Sequence, residues 1–354
     1  MSFQPPDALN VALIGYGLAG AVFHGPLIDS TPGLRLTHIV TSARERIRAA
    51  HAAHPQTTVV ADVQTLWQNA YQLDLAVIAT PNSTHATLAR AAMDAGLHVV
   101  VDKPLATCSD EARALIAYAD ACGRRLTVFQ NRRWDNDFLT LRSLIEQGEL
   151  GDVYRYESRF ERWRPQPKSG WRRSGAQTAA GGILFDLGSH LIDQALQLFG
   201  PAQRVYAELD PRYSESEVDD DSFVALTHAS GVRSHLWMSS LAAQPGPRLR
   251  VLGSRSAYVK YGLDPQEAAL RRGERPGVRD WGIEDEGNHG WLGSERERRR
   301  IPSLPGAYLQ FYARLASALR YDAALPVDPR DALRVLEIIE AASRAHDQGM
   351  PIPL

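Results

Sequence analysis

Lysine, cysteine and long apolar runs are scarce in this chain of 354 residues, and each scarcity excludes something. Lys and Arg together number 39, yet Lys103, Lys168 and Lys260 are the only lysines, so arginine is the ordinary cation here. With two cysteines, Cys108 and Cys122, there is no disulfide framework, and neither has a His or Cys partner at zinc-ligand spacing. Both fall in a stretch that reads as one helix and suits a reducing compartment, and no metal site is expected. No excess of charge is present either: a net charge of -2 leaves no footprint for nucleic acid or an acidic membrane, so the expected partner is a small molecule. No stretch reaches bilayer length, and the opening MSFQPPDALN lacks the charged and apolar regions of a leader, which points to the cytoplasm. The length itself exceeds what one core comfortably serves, so two domains are expected, divided at 1–128 and 129–354.

What the first third does contain is a repeated switch between short apolar runs and helical spacing. VALIG, LRLTHIV, TTVVA, LDLAVIAT, LHVVVD and RLTVF are mostly continuous apolar runs, as strands covered on both faces are. The prediction is a doubly wound parallel sheet of Rossmann type. Directly after the first strand, Gly15, Gly17 and Gly20 form G-x-G-x-x-G before a helix, with Leu18 and Ala19 between them. The first glycine permits a tight turn, the second lets the backbone approach a pyrophosphate, and the third allows close helix–strand packing. A dinucleotide cofactor is therefore expected, its phosphates facing the N–H groups of Leu18, Ala19 and Gly20.

The second strand ends without the acidic residue that would bind the 2'-hydroxyl of NAD. Ser42 and Arg44 stand there instead, a hydroxyl and a guanidinium suited to the 2'-phosphate of NADP, although an arginine on a solvated helix face is the plainer reading. NADP is favoured over NAD. The fourth strand ends in Thr80, Pro81 and Asn82, which should line the cofactor, with Asn82 or Ser83 capping the next helix; capping alone would explain both. His85 reads as a residue of that helix's first turn.

Lys103 follows the buried run Val99–Val101 and Asp102, and precedes Pro104. A chance surface cation fits that setting poorly. A lysine ammonium can be tuned to share its proton where arginine cannot, and Pro104 limits the backbone of Lys103, so the residue reads as a positioned reagent.

The second half changes pattern. DVYRYESRFERW alternates strictly, with Arg155, Glu157, Arg159 and Glu161 on one face, and RVYAELD, DSFVALTH, VRSHLWMSSL and RLRVLGS are further strands. A solvated or cross-strand paired face, and hence an antiparallel sheet, follows. In GGILFDLGSHLIDQALQLFG, Asp186, His190, Asp193 and Gln197 recur at helical spacing and should share one face, while Leu184, Leu187 and Leu191 occupy another. Gly188 weakens such a helix by roughly 1 kcal/mol relative to alanine, which suggests a close approach to its backbone. The segment RPGVRDWGIEDEGNHGWLGSERERRR reads as a mobile, solvated loop, or more sharply as an active-site lid.

Three signatures together, GYGLAGAVFHGPL, DKP and GGILFDLGSHLIDQAL, resemble the glucose-fructose oxidoreductase and inositol dehydrogenase family, Gfo/Idh/MocA, and FQNRRWDNDF is similar to its NADP-dependent scyllo-inositol dehydrogenase branch. Asp102 departs from the family's usual glutamate, shortening the carboxylate by one methylene. The resemblance implies Lys103, Asp186 and His190 as the catalytic set: His190 as acid/base, Lys103 as polariser of the substrate oxygen, Asp186 as the group that binds substrate and tunes both. For the second half it implies an α+β domain whose mainly antiparallel sheet is open. It also implies Asp102, Lys103 and Arg133 near the cofactor and Lys103, Asp186 and His190 around the substrate. In RFERWRPQPKSGWRRSG, Arg162, Trp163, Lys168, Trp171 and Arg172 offer the donors and flat faces that a polyol or sugar needs, or equally an oligomer contact. The activity implied is hydride transfer at a secondary alcohol or ketone of a cyclic polyol, inositol or sugar, in a homodimer or homotetramer. Two rivals stand beside it: glycoside processing by transient oxidation with tightly held NAD, and a silent nucleotide sensor.

Overall fold

The computed structural model describes residues 8–166, 180–214 and 216–354. They form two compact units. The first is the chain up to Asn131 with Gln266–Trp281 and Tyr308–Leu333; the second is Arg132–Pro265, Gly282–Ala307 and Arg334–Leu354. The division at 128/129 therefore differs from the structure in two later segments that return to the first unit. Aromatic packing accounts for one return. The helix Leu309–Tyr321 lays Phe311 and Tyr312 against Phe129, with ring centroids 4.9 and 5.9 Å apart, and Thr127 Oγ1 donates to Val327 O at 2.7 Å.

The first unit is built on six parallel strands, β1 (Leu9–Ile14), β2 (Leu34–Val40), β3 (Thr58–Val60), β4 (Leu75–Ile78), β5 (His98–Asp102) and β6 (Leu126–Phe129), in the order β3-β2-β1-β4-β5-β6. All six coincide with the apolar runs of the sequence. Val99, Val100 and Val101 are fully buried, as residues covered by helices on both faces must be. Cys108 and Cys122 flank the helix Ser109–Ala121 rather than lying inside it.

The second unit carries nine strands: β7 (Val153–Glu161), β8 (Ala202–Asp210), β9 (Asp221–His228), β10 (Arg233–Ser239), β11 (Leu249–Gly253), β12 (Ala257–Lys260), β13 (Gly290–Gly293), β14 (Arg298–Ile301) and β15 (Ile352–Pro353). Their order is β14-β13-β12-β11-β7-β10-β9-β8-β15, and every pairing is antiparallel except β7 with β10. Leu191, Ile192, Ala195 and Phe199 of the helix Ser189–Phe199 share a core with Tyr156, Val224, Leu236 and Met238 from the sheet. The charged face of β7 is paired as its alternation implied: Arg250 of β11 stands opposite Glu157 and donates to it at 2.7 Å, and Arg159 reaches the same carboxylate at 3.1 Å.

The segment expected to be a mobile loop or lid is corrected in its second half, which supplies β13 and β14, while residues 275–289 run as turns and irregular chain. Glu284 among them is buried against Lys260, whose Nζ lies 2.9 and 2.8 Å from the two carboxylate oxygens. Charge disguised these strands because β14 forms an edge of the sheet, where charged residues protect against further pairing. Arg298 and Arg300 cover the ring of Trp291, each 4.8 Å from it.

Candidate active site

In the first unit the carboxyl ends of β2, β1, β4 and β5 lie side by side, and the chain order reverses between β1 and β4. Open parallel sheets bind ligands at that point. The structure thus brings Gly15 to Gly20, Ser42, Arg44, Thr80 to Asn82, Asp102 and Lys103 to one edge. Gly15 donates its N–H to Val40 O at 3.0 Å, and Ala79 donates to Ile14 O at 2.8 Å, which fixes the turn between its neighbours.

Each glycine of the turn answers to a different constraint. Gly15 has φ +98°, and a Cβ there would sit 2.5 Å from Ala79 O. A Cβ on Gly20 would sit 2.2 Å from Gly15 O, so the packing of the following helical segment, Ala19–His24, requires glycine. At Gly17 nothing lies within 4 Å of a Cβ. The protein's own packing therefore does not demand that glycine, whereas close approach by a pyrophosphate would; the turn fits a dinucleotide. Leu18 beside it is 46 % exposed. Tyr16 is buried edge-on against His54, which pairs with Asp29 at 2.5 Å, and burial, then the charge of Asp29, pushes the phenol up to about 12. At the β2 end Ser42, Arg44 and Arg46 are exposed, and Glu45 is the first carboxylate after the strand.

After β4, the helix His85–Asp94 follows a short 3-10 turn over Asn82–Thr84. Thr84, rather than Asn82 or Ser83, stands at the capping position, and its side chain makes no capping bond. Thr80 Oγ1 instead meets Thr84 Oγ1 at 2.7 Å. His85 is buried, with Nδ1 2.8 Å from Pro104 O and Nε2 3.0 Å from Thr80 O. At the end of β5, Asp102 Oδ1 accepts the N–H of Lys103 at 2.9 Å and lies 3.8 Å from Nε2 of the buried His24. The Lys103–Pro104 bond is cis. Burial raises the Asp102 carboxyl, but the facing His24, Lys103 and His85 outweigh it and hold the group below its usual range.

In the second unit Asp186 and His190, four positions apart, differ in burial. Asp186 lies on a π-wound turn, Leu184–Gly188, and is exposed, as is Gln197, whereas His190 and Asp193 on the following α-helix are 6 % and 2 % exposed. A Cβ on Gly188 would meet Met238 Sδ at 2.8 Å, so the close approach inferred from that glycine is made by the sheet. Asp219 anchors the start, accepting from Leu184 N and Ser222 Oγ, both at 2.7 Å.

Arg133 belongs to this unit, and its guanidinium is engaged by Asp193, Nε to Oδ2 at 2.8 Å and Nη2 to Oδ1 at 2.6 Å. Beside it, Arg132 and Arg248 lie against the ring of Phe160 at 4.8 and 4.2 Å, and Arg248 also reaches Asp137 at 2.7 Å and Gln194 at 2.9 Å. Arg162 follows β7, its N–H donating to Ser239 O at 2.9 Å. Trp171, with Lys168 and Arg172, lies outside the described residues. Missed in the sequence were His24 and Tyr312, whose ring nitrogen and hydroxyl meet at 2.6 Å; the histidine within GYGLAGAVFHGPL was the one available signal.

Comparison with known proteins gives two family-model matches: "Oxidoreductase family, NAD-binding Rossmann fold" over residues 9–130, and "Oxidoreductase family, C-terminal alpha/beta domain" over residues 142–354, both of the Gfo/Idh/MocA group. The chain is 43 % identical over 338 residues to the uncharacterised oxidoreductase YdgJ of Escherichia coli, covering 94 % of this chain and 95 % of that one. It is 36 % identical over 352 residues to the NADP(+) scyllo-inositol 2-dehydrogenase IolW of Bacillus subtilis, covering 98 % and 96 %. Among solved structures, the oxidoreductase YvaA of Bacillus subtilis superposes with a TM-score of 0.92 at 35 % identity, over 99 % of this chain and 100 % of that one. No described helix is long and apolar enough to cross a membrane.

Proposed function

Since the chain belongs to the Gfo/Idh/MocA oxidoreductases and is a dehydrogenase or reductase with an NAD(P)-binding fold, we propose that it transfers hydride between NADP and a secondary alcohol or ketone of a cyclic polyol, of scyllo-inositol type. The observation that carries the cofactor choice is the β2 end, where Ser42 and Arg44 are exposed and no carboxylate stands before Glu45. A hydroxyl and a guanidinium attract a 2'-phosphate; an acid would repel it. The substrate class rests on IolW, whose match runs through 98 % of the chain.

The nicotinamide, when bound, supplies the acceptor or donor of hydride. The chain's residues handle the proton and the charge. His190 takes the hydroxyl proton during oxidation and returns it during reduction. Lys103 donates a hydrogen bond to the reacting oxygen and steadies the charge that develops on it. Asp186 binds substrate hydroxyls. Arg162 and Trp171 contribute to substrate binding.

The test is a pair of assays on Lys103→Met. The variant should quench NADPH fluorescence with wild-type affinity yet lose turnover of scyllo-inositol and its ketone, with NAD and NADP assayed in parallel. Full turnover by the variant would refute the assignment, and product formed without net change in free NADPH would favour a transient-oxidation chemistry instead.

A further inference from the structure

Lys103 is flanked in the chain by two residues that are each held by a buried histidine. On one side Asp102 faces His24, which is fully buried, stacks on Phe129 at 4.4 Å between centroids, and meets Tyr312 Oη at 2.6 Å through Nδ1. On the other side Pro104 presents its carbonyl to Nδ1 of His85 at 2.8 Å. The second nitrogen of His85 reaches back to Thr80 O at 3.0 Å, so this ring joins the turn after β4 to the turn after β5.

The chemistry of each ring fits such a hold. Burial, then the charge of Asp102, pushes the Tyr312 phenol well above its ordinary value, so it stays a hydroxyl and can donate to Nδ1 of His24. That leaves Nε2 carrying its hydrogen toward the Asp102 carboxylate, 3.8 Å away, a distance for electrostatic attraction rather than a hydrogen bond. His85 faces two carbonyl oxygens, which only accept; a neutral ring satisfies one and an imidazolium both. Histidine therefore reaches both turns, where an aliphatic residue of equal size could donate to neither carbonyl.

We propose that His24 and His85 are positioning residues for Lys103: by fixing Asp102 and Pro104 they give the lysine amine one defined place at the end of β5. The consequence for turnover rests on the proposed role of Lys103, but the placement itself does not.

The small number of lysines makes the placement measurable. Reductive methylation of the full chain with 13C-formaldehyde labels at most Lys103, Lys168, Lys260 and the terminal amine, and Lys260 is buried in its pair with Glu284. In His24→Leu and His85→Phe the Lys103 resonance should move while that of Lys168 stays. Turnover should fall by on the order of 100-fold, the loss expected when a reacting group is misplaced by about 1 Å. NADPH affinity, read by fluorescence quenching, should survive in His24→Leu and weaken in His85→Phe, whose ring also holds the Thr80 turn. His85→Gln, whose amide can still donate to one carbonyl, should regain part of the loss and carries the test if His85→Phe does not fold; His24→Gln serves likewise for His24. Folded variants with the wild-type Lys103 resonance and wild-type kcat would overturn the proposal. Should Lys103→Met keep its turnover while the resonance still moves, the role of Lys103 fails and its placement by the histidines stands.

Discussion

Arg133 and Asp193 meet fork to fork, with side chains 10 % and 3 % exposed, so a charge pair is closed off from water inside the second unit. Two parallel bonds of 2.8 and 2.6 Å hold the helix Ser189–Phe199 one turn beyond His190 against the start of that unit. A buried pair contributes modestly as a whole, but removing one partner strands the other.

Asp193→Ala should therefore lower the stability of the chain by about 3–5 kcal/mol, read from urea unfolding. Adding Arg133→Met should restore most of it, since no uncompensated cation then remains. Equal stability of the single and double variants would mean that the pair is not closed to solvent.

The three glycines of the first turn separate folding from binding. Gly20→Ala would drive a methyl to 2.2 Å from Gly15 O and should destabilise the first unit, and Gly15→Ala adds strain at φ +98° to a contact of 2.5 Å. Gly17→Ala meets no protein atom within 4 Å. Its melting temperature should stay near wild type while NADPH affinity falls at least about tenfold, the equivalent of roughly 1.4 kcal/mol of lost approach to the backbone. A Gly17→Ala protein that binds NADPH normally would contradict the placement of the pyrophosphate at this turn.

Local sterics explain why so much of the first unit was legible. Continuous apolar runs and a glycine turn report their surroundings within a few residues, and all six strands of the first sheet fell where the runs lay. The holding of Lys103 was not legible, because its partners are brought together by the fold: Tyr312 is 288 positions from His24, and Pro104 is 19 from His85. In the second unit the close approach at Gly188 is made by Met238 on another element, and the π-wound turn Leu184–Gly188 is a feature that helical spacing alone does not announce. β13 and β14 escaped notice because the arginines that protect a sheet edge look like those of a solvated loop.

Cofactor preference gives a direct test at the β2 end. Ser42→Asp combined with Arg44→Ala installs an acid where the ribose hydroxyl of NAD would be bound and removes the cation suited to the 2'-phosphate. The ratio of kcat/KM for NADP over NAD should fall by at least about 100-fold, with little change in turnover at saturating cofactor. Both residues are exposed, so stability should hold. An unchanged ratio would remove the argument for NADP.

His228 offers a pH dependence whose sign is determined by its surroundings. It is 1 % exposed, its Nδ1 lies 2.8 Å from Gly200 O and its Nε2 2.8 Å from Ser234 Oγ, a set that a neutral ring satisfies by donating to the carbonyl and accepting from the hydroxyl. Burial pushes its pKa below 6.5, with the bond to Gly200 opposing in part. Above 6.5 both the folded and unfolded chains hold this ring neutral, and its full contribution is present. As the pH falls below that value, the unfolded chain takes up a proton that the folded ring resists, and stability declines until the folded value is passed, by at most about 1.4 kcal/mol per pH unit. The unfolding free energy of wild type should therefore drop more steeply than that of His228→Asn between about pH 6.5 and 5, whichever is the more stable at neutral pH. Carboxylates titrate alike in both proteins and cancel in the difference, so parallel curves would mean that this imidazole is protonated as readily in the fold as in water.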